Sequence, residues 1–200
     1  LHYEVFDARL GDNVLMLFDS CVKHTLLTSG YNQIRKEVEE GLEIIRQNYP
    51  DVKNWRDVTY DIMEGVRDQL GESVYERSIF VVDEINRVGE AADALQSGNY
   101  EKLGKLLSAT HYGLSRQYGV SCDELDFLVD EALRLDGVLG ARMMGGGFGG
   151  CSINLIRKDQ AEKVAETMAQ FYKKAFDIDM KVYPVQISEG TSKLKEYAGV

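Results

Sequence analysis

The sequence predicts an α+β domain in which a small antiparallel sheet packs against several helices. Short apolar runs bounded by turn residues lie near both ends of the chain. Between them runs a long stretch whose apolar residues recur every three or four positions. Strand and helix patterns are segregated rather than alternating, which argues against a parallel βαβ sheet.

HYEVFDA (2–8) and VLMLFDS (14–20) read as strands either side of the turn Gly11-Asp12-Asn13. The second is apolar nearly throughout, as a strand covered on both faces is. Ile34, Val38, Leu42 and Ile45 then share one helical face, opposite Arg35, Lys36, Glu39 and Glu40. They predict a helix over 31–48, with Thr28 or Ser29 as cap and Pro50 just beyond its end. DVTYDIMEGVRDQLG (57–71) predicts a shorter helix closed by Gly71. Helices over 73–96 and 100–117 follow, broken at Ser97-Gly98-Asn99. SCDELDFLVDEALRLDG (121–137) opens with Ser121 and Glu124 at capping-box spacing and closes at Gly137.

The pattern then changes. VLGARMM (138–144) and the alternating CSINLI (151–156) are strands. Residues 159–176 form the most regular helix, with Ala161, Val164, Ala165, Met168, Phe171, Tyr172, Ala175 and Phe176 on one face. MKVYPVQIS (180–188) is the last strand, and Pro184 points to an edge position.

The chain has 200 residues, 44% of them apolar, enough for one well-cored domain spanning 1–200. The net charge of −10 argues against nucleic acid or an acidic membrane surface as partner, since both draw on a basic face. Cys21, Cys122 and Cys151 are too far apart for a CxxC motif and suit reduced thiols in a cytoplasmic protein. No run approaches a membrane span, and no signal peptide opens the chain. It starts Leu1-His2-Tyr3, which suggests a piece of something longer.

The most informative stretch is MMGGGFGGCSINLI (143–156), in which Gly145, Gly146, Gly147, Gly149 and Gly150 surround Phe148. Gly145, Gly147 and Gly150 formally satisfy G-x-G-x-x-G. A dinucleotide loop, however, leads into a helix, and this one leads into a strand. There is no Gly-Lys-Ser/Thr either, so the Walker loop is excluded. Five glycines exceed what a hairpin turn requires. Either the Cβ-free backbone faces an anionic ligand or a neighbouring domain, or the turn is packed tightly for structural reasons.

GARMMGGGFGGCSINLI resembles the third signature of the GHMP kinases, and Phe148 with Cys151 makes it most similar to the galactokinase branch. VKHTLLTSGYNQIRKEVEEG and the long block VVDEINRVGEAADALQSGNYEKLGKLLSATHYGLSRQYGVSCDELDFLV are similar to that branch as well. The resemblance covers nearly the whole chain and implies its C-terminal domain. It further implies transfer of the γ-phosphoryl group of ATP, with Mg²⁺, to the anomeric hydroxyl of galactose. Another GHMP kinase, or a galactose sensor without catalysis, is the alternative.

By resemblance, Tyr31 contacts the sugar, and Gly145, Gly146, Gly147, Phe148, Gly149 and Gly150 shape the phosphate region. A phenol suits a sugar, since it can hydrogen-bond a hydroxyl while its ring covers C–H faces. The first two signatures, the catalytic aspartate and most Mg²⁺ ligands belong to an N-terminal part that this sequence lacks. Residues 1–10 would be the last strand of that part, and this chain alone is expected to be inactive. Ile34 stands where the family often has a second basic residue. His111, with Leu106, Leu107 and Leu114 around it, reads as a satisfied structural histidine. Lys23 and Arg142 flank matched segments and are candidates to face phosphate, with solvated surface charge as the default for each.

Overall fold

A computed structural model describes residues 8–23 and 27–188; the strand expected over 2–8 falls almost wholly outside them. Four strands form the sheet: β1 (Asn13–Lys23), β2 (Val138–Met143), β3 (Gly149–Arg157) and β4 (Lys181–Val185). Their order is β2-β3-β1-β4 and every pair is antiparallel. The helices are α1 (Leu27–Asn48), α2 (Tyr60–Gly65), α3 (Glu72–Gln96), α4 (Tyr100–Gly113), α5 (Asp123–Leu133) and α6 (Ala161–Phe176). The chain order is strand, helices, strand, strand, helix, strand, a split βαβ arrangement with an enlarged first crossover.

Period-two alternation decides which side of the sheet is covered. Met16 and Phe18 of β1 and Ile156 of β3 turn toward α5 and α6, where they meet Leu128, Ala132, Val164, Met168 and Tyr172. Phe18, Leu128, Ile156, Met168 and Tyr172 are fully buried, and each contributes about 1.5–3 kcal/mol through its apolar surface. The covered stripe of α6 is narrower than its sequence pattern, because Phe171 and Ala175 remain exposed. Pro184 does lie on an edge strand, paired with Met16.

A second core lies away from the sheet, where Ile45, Val52, Val58, Met63, Val66, Leu70 and Val82 join α1 to α3. The single helix expected over 57–71 is instead three short pieces: turns at Trp55–Asp57 and Arg67–Gln69 flank α2. Burial of Val58, Met63, Val66 and Leu70 in one core bends the segment at Val66 rather than letting it continue straight. α1 also starts earlier than expected, so Thr28 and Ser29 lie within it rather than ahead of it.

α4 runs along the outer edge of β2. A Cβ on Gly104 would collide with the carbonyl oxygen of Leu139, and one on Gly140 would collide with the backbone of Gly104. Only glycine at both positions lets the backbones touch. The outward N–H groups of β2 then find acceptors on the helix: Ala141 donates to Ser108 Oγ at 3.3 Å and Met143 to His111 Nδ1 at 3.2 Å. No described helix is long and apolar enough to cross a membrane.

Candidate active site: the glycine hairpin

β2 and β3 are joined by the glycine loop, and the Met144 N–H donates to the Cys151 carbonyl at 2.9 Å to close the hairpin. Gly145, Gly147, Gly149 and Gly150 all adopt positive φ, and so does Phe148 at 56°, where a side chain costs strain. That strain is held in place by packing. The Phe148 N–H donates to the Val120 carbonyl at 2.8 Å. Its ring lies on the cluster of Ile34, Val120, Leu125 and Met143. Phe148 Cζ also sits 3.4 Å from where a Cβ on Gly30 would be, so the ring reaches the first turns of α1.

The glycines divide by what surrounds them. A Cβ on Gly147 would collide with the Val120 carbonyl oxygen and sit 2.9 Å from Val120 Cβ. Cβ atoms on Gly145, Gly146 or Gly150 would meet nothing within 4 Å. Among the described residues, the N–H groups of Gly145, Gly146 and Gly147 have no hydrogen-bond acceptor. One side of the loop is thus a fixed contact, while the other is an open backbone rim bearing free donors. Such a rim suits an anion.

Tyr31, immediately after Gly30 in α1, is 42% exposed. Burial pushes the Tyr118 phenol above its ordinary value, and the nearby Tyr31 adds to the effect. The contact between Phe148 and Gly30 thus brings the glycine loop to the turn of α1 that carries Tyr31. Arg142 is not surface charge. It is half-buried, its Nε donates to the Met143 carbonyl at 3.0 Å, and desolvation lowers its pKa. No carboxylate among the described residues forms an ion pair with it. Lys23 ends β1, and its side chain lies outside the described residues.

His111 is 1% exposed. Burial lowers its pKa despite the nearby Asp126 and Asp130, so the ring is neutral at pH 7. Nδ1 accepts from Met143, so Nε2 carries the proton and faces Asp126 Oδ1 at 3.3 Å. Ser121 is not the cap of α5: Cys122 holds that position, and the Ser121 hydroxyl donates to Asp126 Oδ1 at 2.5 Å. Ser115, in the π-helical turn Leu114–Tyr118, donates to Asp126 Oδ2 at 2.8 Å. No spacing in the sequence announces Ser115, Ser121, Asp126 or the Val120 carbonyl as parts of one arrangement.

The three cysteines are free, and burial pushes the Cys122 thiol to about 11 and Cys151 upward, so both stay protonated at neutral pH. Among the described residues no group of three or more His, Cys, Asp or Glu side chains is placed to hold a metal ion.

Residues 91–174 match the family model described as GHMP kinases C terminal. A galactokinase from Thermotoga petrophila is 40% identical over 97% of this chain and 53% of its own length. One from Clostridium perfringens is 32% identical over 97% of this chain and 50% of its own length. The solved Lactococcus lactis galactokinase complexed with galactose superposes with a TM-score of 0.90 at 33% identity, again over 97% of this chain and 50% of that one. The solved L. major mevalonate kinase in complex with R-mevalonate shares the fold at a TM-score of 0.52 and 21% identity, over 92% of this chain and 45% of that one. Residues 91–174 thus match the C-terminal domain of the GHMP kinase family, and the fold around them is that of the solved galactokinase. Within that family the chain corresponds to the C-terminal portion of galactokinases, and it spans about half the length of the curated relatives it matches.

Proposed function

We propose that this chain is the C-terminal domain of a cytoplasmic galactokinase, which transfers the γ-phosphoryl group of ATP to the anomeric hydroxyl of galactose. The observation that carries the reading is the open rim of Gly145 and Gly146, anchored through Phe148, whose ring reaches Gly30, the residue before Tyr31. The rim offers a donor-lined surface for phosphate, and Tyr31 offers an exposed phenol for a sugar. Tyr31 would hold a sugar hydroxyl, and the hairpin from Gly145 to Gly150 would border the phosphates. Arg142 supplies positive charge next to Met143 and the loop. Phosphoryl transfer is driven by positioning and by neutralising phosphate charge, and these residues do part of both.

Mg²⁺, where bound, neutralises phosphate charge, and its ligands belong with the N-terminal half. That half would also bring the acid beside the reacting hydroxyl, completing the site across a domain boundary. Free thiols at Cys21, Cys122 and Cys151 fit a reducing compartment.

The test is galactose-dependent ADP release by the full-length protein, run beside arabinose, N-acetylgalactosamine and mevalonate. Preference for galactose supports the reading. Preference for another acceptor, or sugar binding without turnover, defeats it. The 200-residue chain alone should show no turnover.

A further inference from the structure

The glycine loop touches the rest of the domain at two backbone points, and one side-chain network reaches both. At its entrance, the Met143 N–H is held by His111 Nδ1. At its exit, the Phe148 N–H is held by the Val120 carbonyl. Val120 lies in the segment 119–122, which follows the π-helical turn and begins at Gly119 with φ of 78°. That segment is fastened by the Ser121 hydroxyl on Asp126 Oδ1. The same Oδ1 faces His111 Nε2, while Ser115 holds Oδ2 from the turn itself. One carboxylate on α5 therefore joins the histidine at the loop's entrance to the segment at its exit.

We infer that His111, Ser121 and Asp126 form a clamp that positions the glycine loop, setting the separation of Met143 and Phe148 and hence the attitude of the Gly145–Gly146 rim. The clamp acts through backbone contacts and touches no reacting atom, so these three are positioning residues. The arrangement requires a neutral imidazole, because Nδ1 must accept while Nε2 donates. Around His111 the charges are Asp126 and Asp130 of α5, Arg116 of the π-helical turn and Arg142 of β2. Burial outweighs the two carboxylates and keeps the ring neutral.

The catalytic consequence rests on the kinase reading above, but the clamp can be tested without it. Hydrogen exchange followed by mass spectrometry is run on the full-length protein for wild type, His111→Leu, His111→Gln and Ser121→Ala. His111→Leu should speed exchange at Met143 and Phe148 while leaving α6 unchanged. His111→Gln, whose amide can accept and donate, should restore protection. Ser121→Ala should loosen Phe148 and spare Met143, and it removes so little that folding is retained even if the leucine variant fails to fold. Where the wild type turns over galactose, His111→Leu should lower kcat by roughly tenfold to a hundredfold with the galactose KM unchanged, and His111→Gln should recover most of it. Exchange that rises equally across α4, α5 and α6, or loop amides that stay protected in His111→Leu and Ser121→Ala, overturns the clamp. Absence of turnover in the wild type defeats only the kinase reading, and the exchange data still decide the clamp.

Discussion

Among the described residues, glycine lets main chain press on main chain in two places, with opposite surroundings. Where α4 crosses β2, Gly104 and Gly140 bring backbone against backbone, and no flexible side chain stands by to yield. In the hairpin loop, Gly147 presses on Val120, but its neighbours Gly145 and Gly146 face open space. The first contact is closed on all sides and holds the fold together. The second is closed on one side only, and the open side is where a ligand can lie. The absence of a Cβ thus identifies a site only where the space it leaves is reachable.

Substitutions should separate the two regions. Gly104→Ala is expected to be the most damaging, costing about 3 kcal/mol or more, because both colliding partners are main chain. Thermal melting of the purified domain would reveal it, and a melting point close to wild type would mean that the crossing is loose. Gly147→Ala combines a collision with positive φ, but the loop has solvent on its far side. A cost of about 1–3 kcal/mol is expected, with kcat of the full-length enzyme falling roughly a hundredfold. Equal losses of stability and activity at Gly104 and Gly147 would erase the distinction drawn here.

Tyr31→Phe removes one exposed hydroxyl, so stability should change by less than about 0.5 kcal/mol. Its galactose KM should rise by up to about tenfold, the value of one hydrogen bond. An unchanged KM would remove Tyr31 from the sugar site. The smallest effect concerns pH. Folding holds the His111 pKa below its ordinary 6.5, so below that pH the unfolded chain takes up the proton more readily. Its contribution is complete above about pH 6.5 and is lost as pH falls through the folded value. Urea midpoints should therefore drop on acidification more steeply in wild type than in His111→Gln, and parallel slopes would place the titration elsewhere.

The strands, α1, α3, α4, α6 and the hairpin were legible in the sequence because each has a local cause. Period-two alternation, helical spacing and the Ser97-Gly98-Asn99 break all act within a few residues. The segment 57–71 reads as one helix, yet its bend comes from a core shared with α1 and α3, which no window on the segment contains. Ser121 departs from its expected role for a similar reason. Its spacing to Glu124 fits a capping box, yet Asp126 takes its hydroxyl once the turn before it is π-helical. At the site, the glycines stood out by residue type, whereas Tyr31 was singled out only by the family resemblance. What neither signal announces is that Phe148 reaches Gly30 across 118 positions of chain, a contact that only folding makes.

The side-chain acceptors along α4 have one more effect. β2 is an outer strand of the sheet, and an outer strand with bare N–H groups invites a strand from another molecule. Ser108 and His111 occupy the sites where such an intruder would bond. Because α4 stays packed on β2 through Gly104 and Gly140, a variant that loses His111 leaves the Met143 N–H without its acceptor while the helix still bars a second strand from the edge.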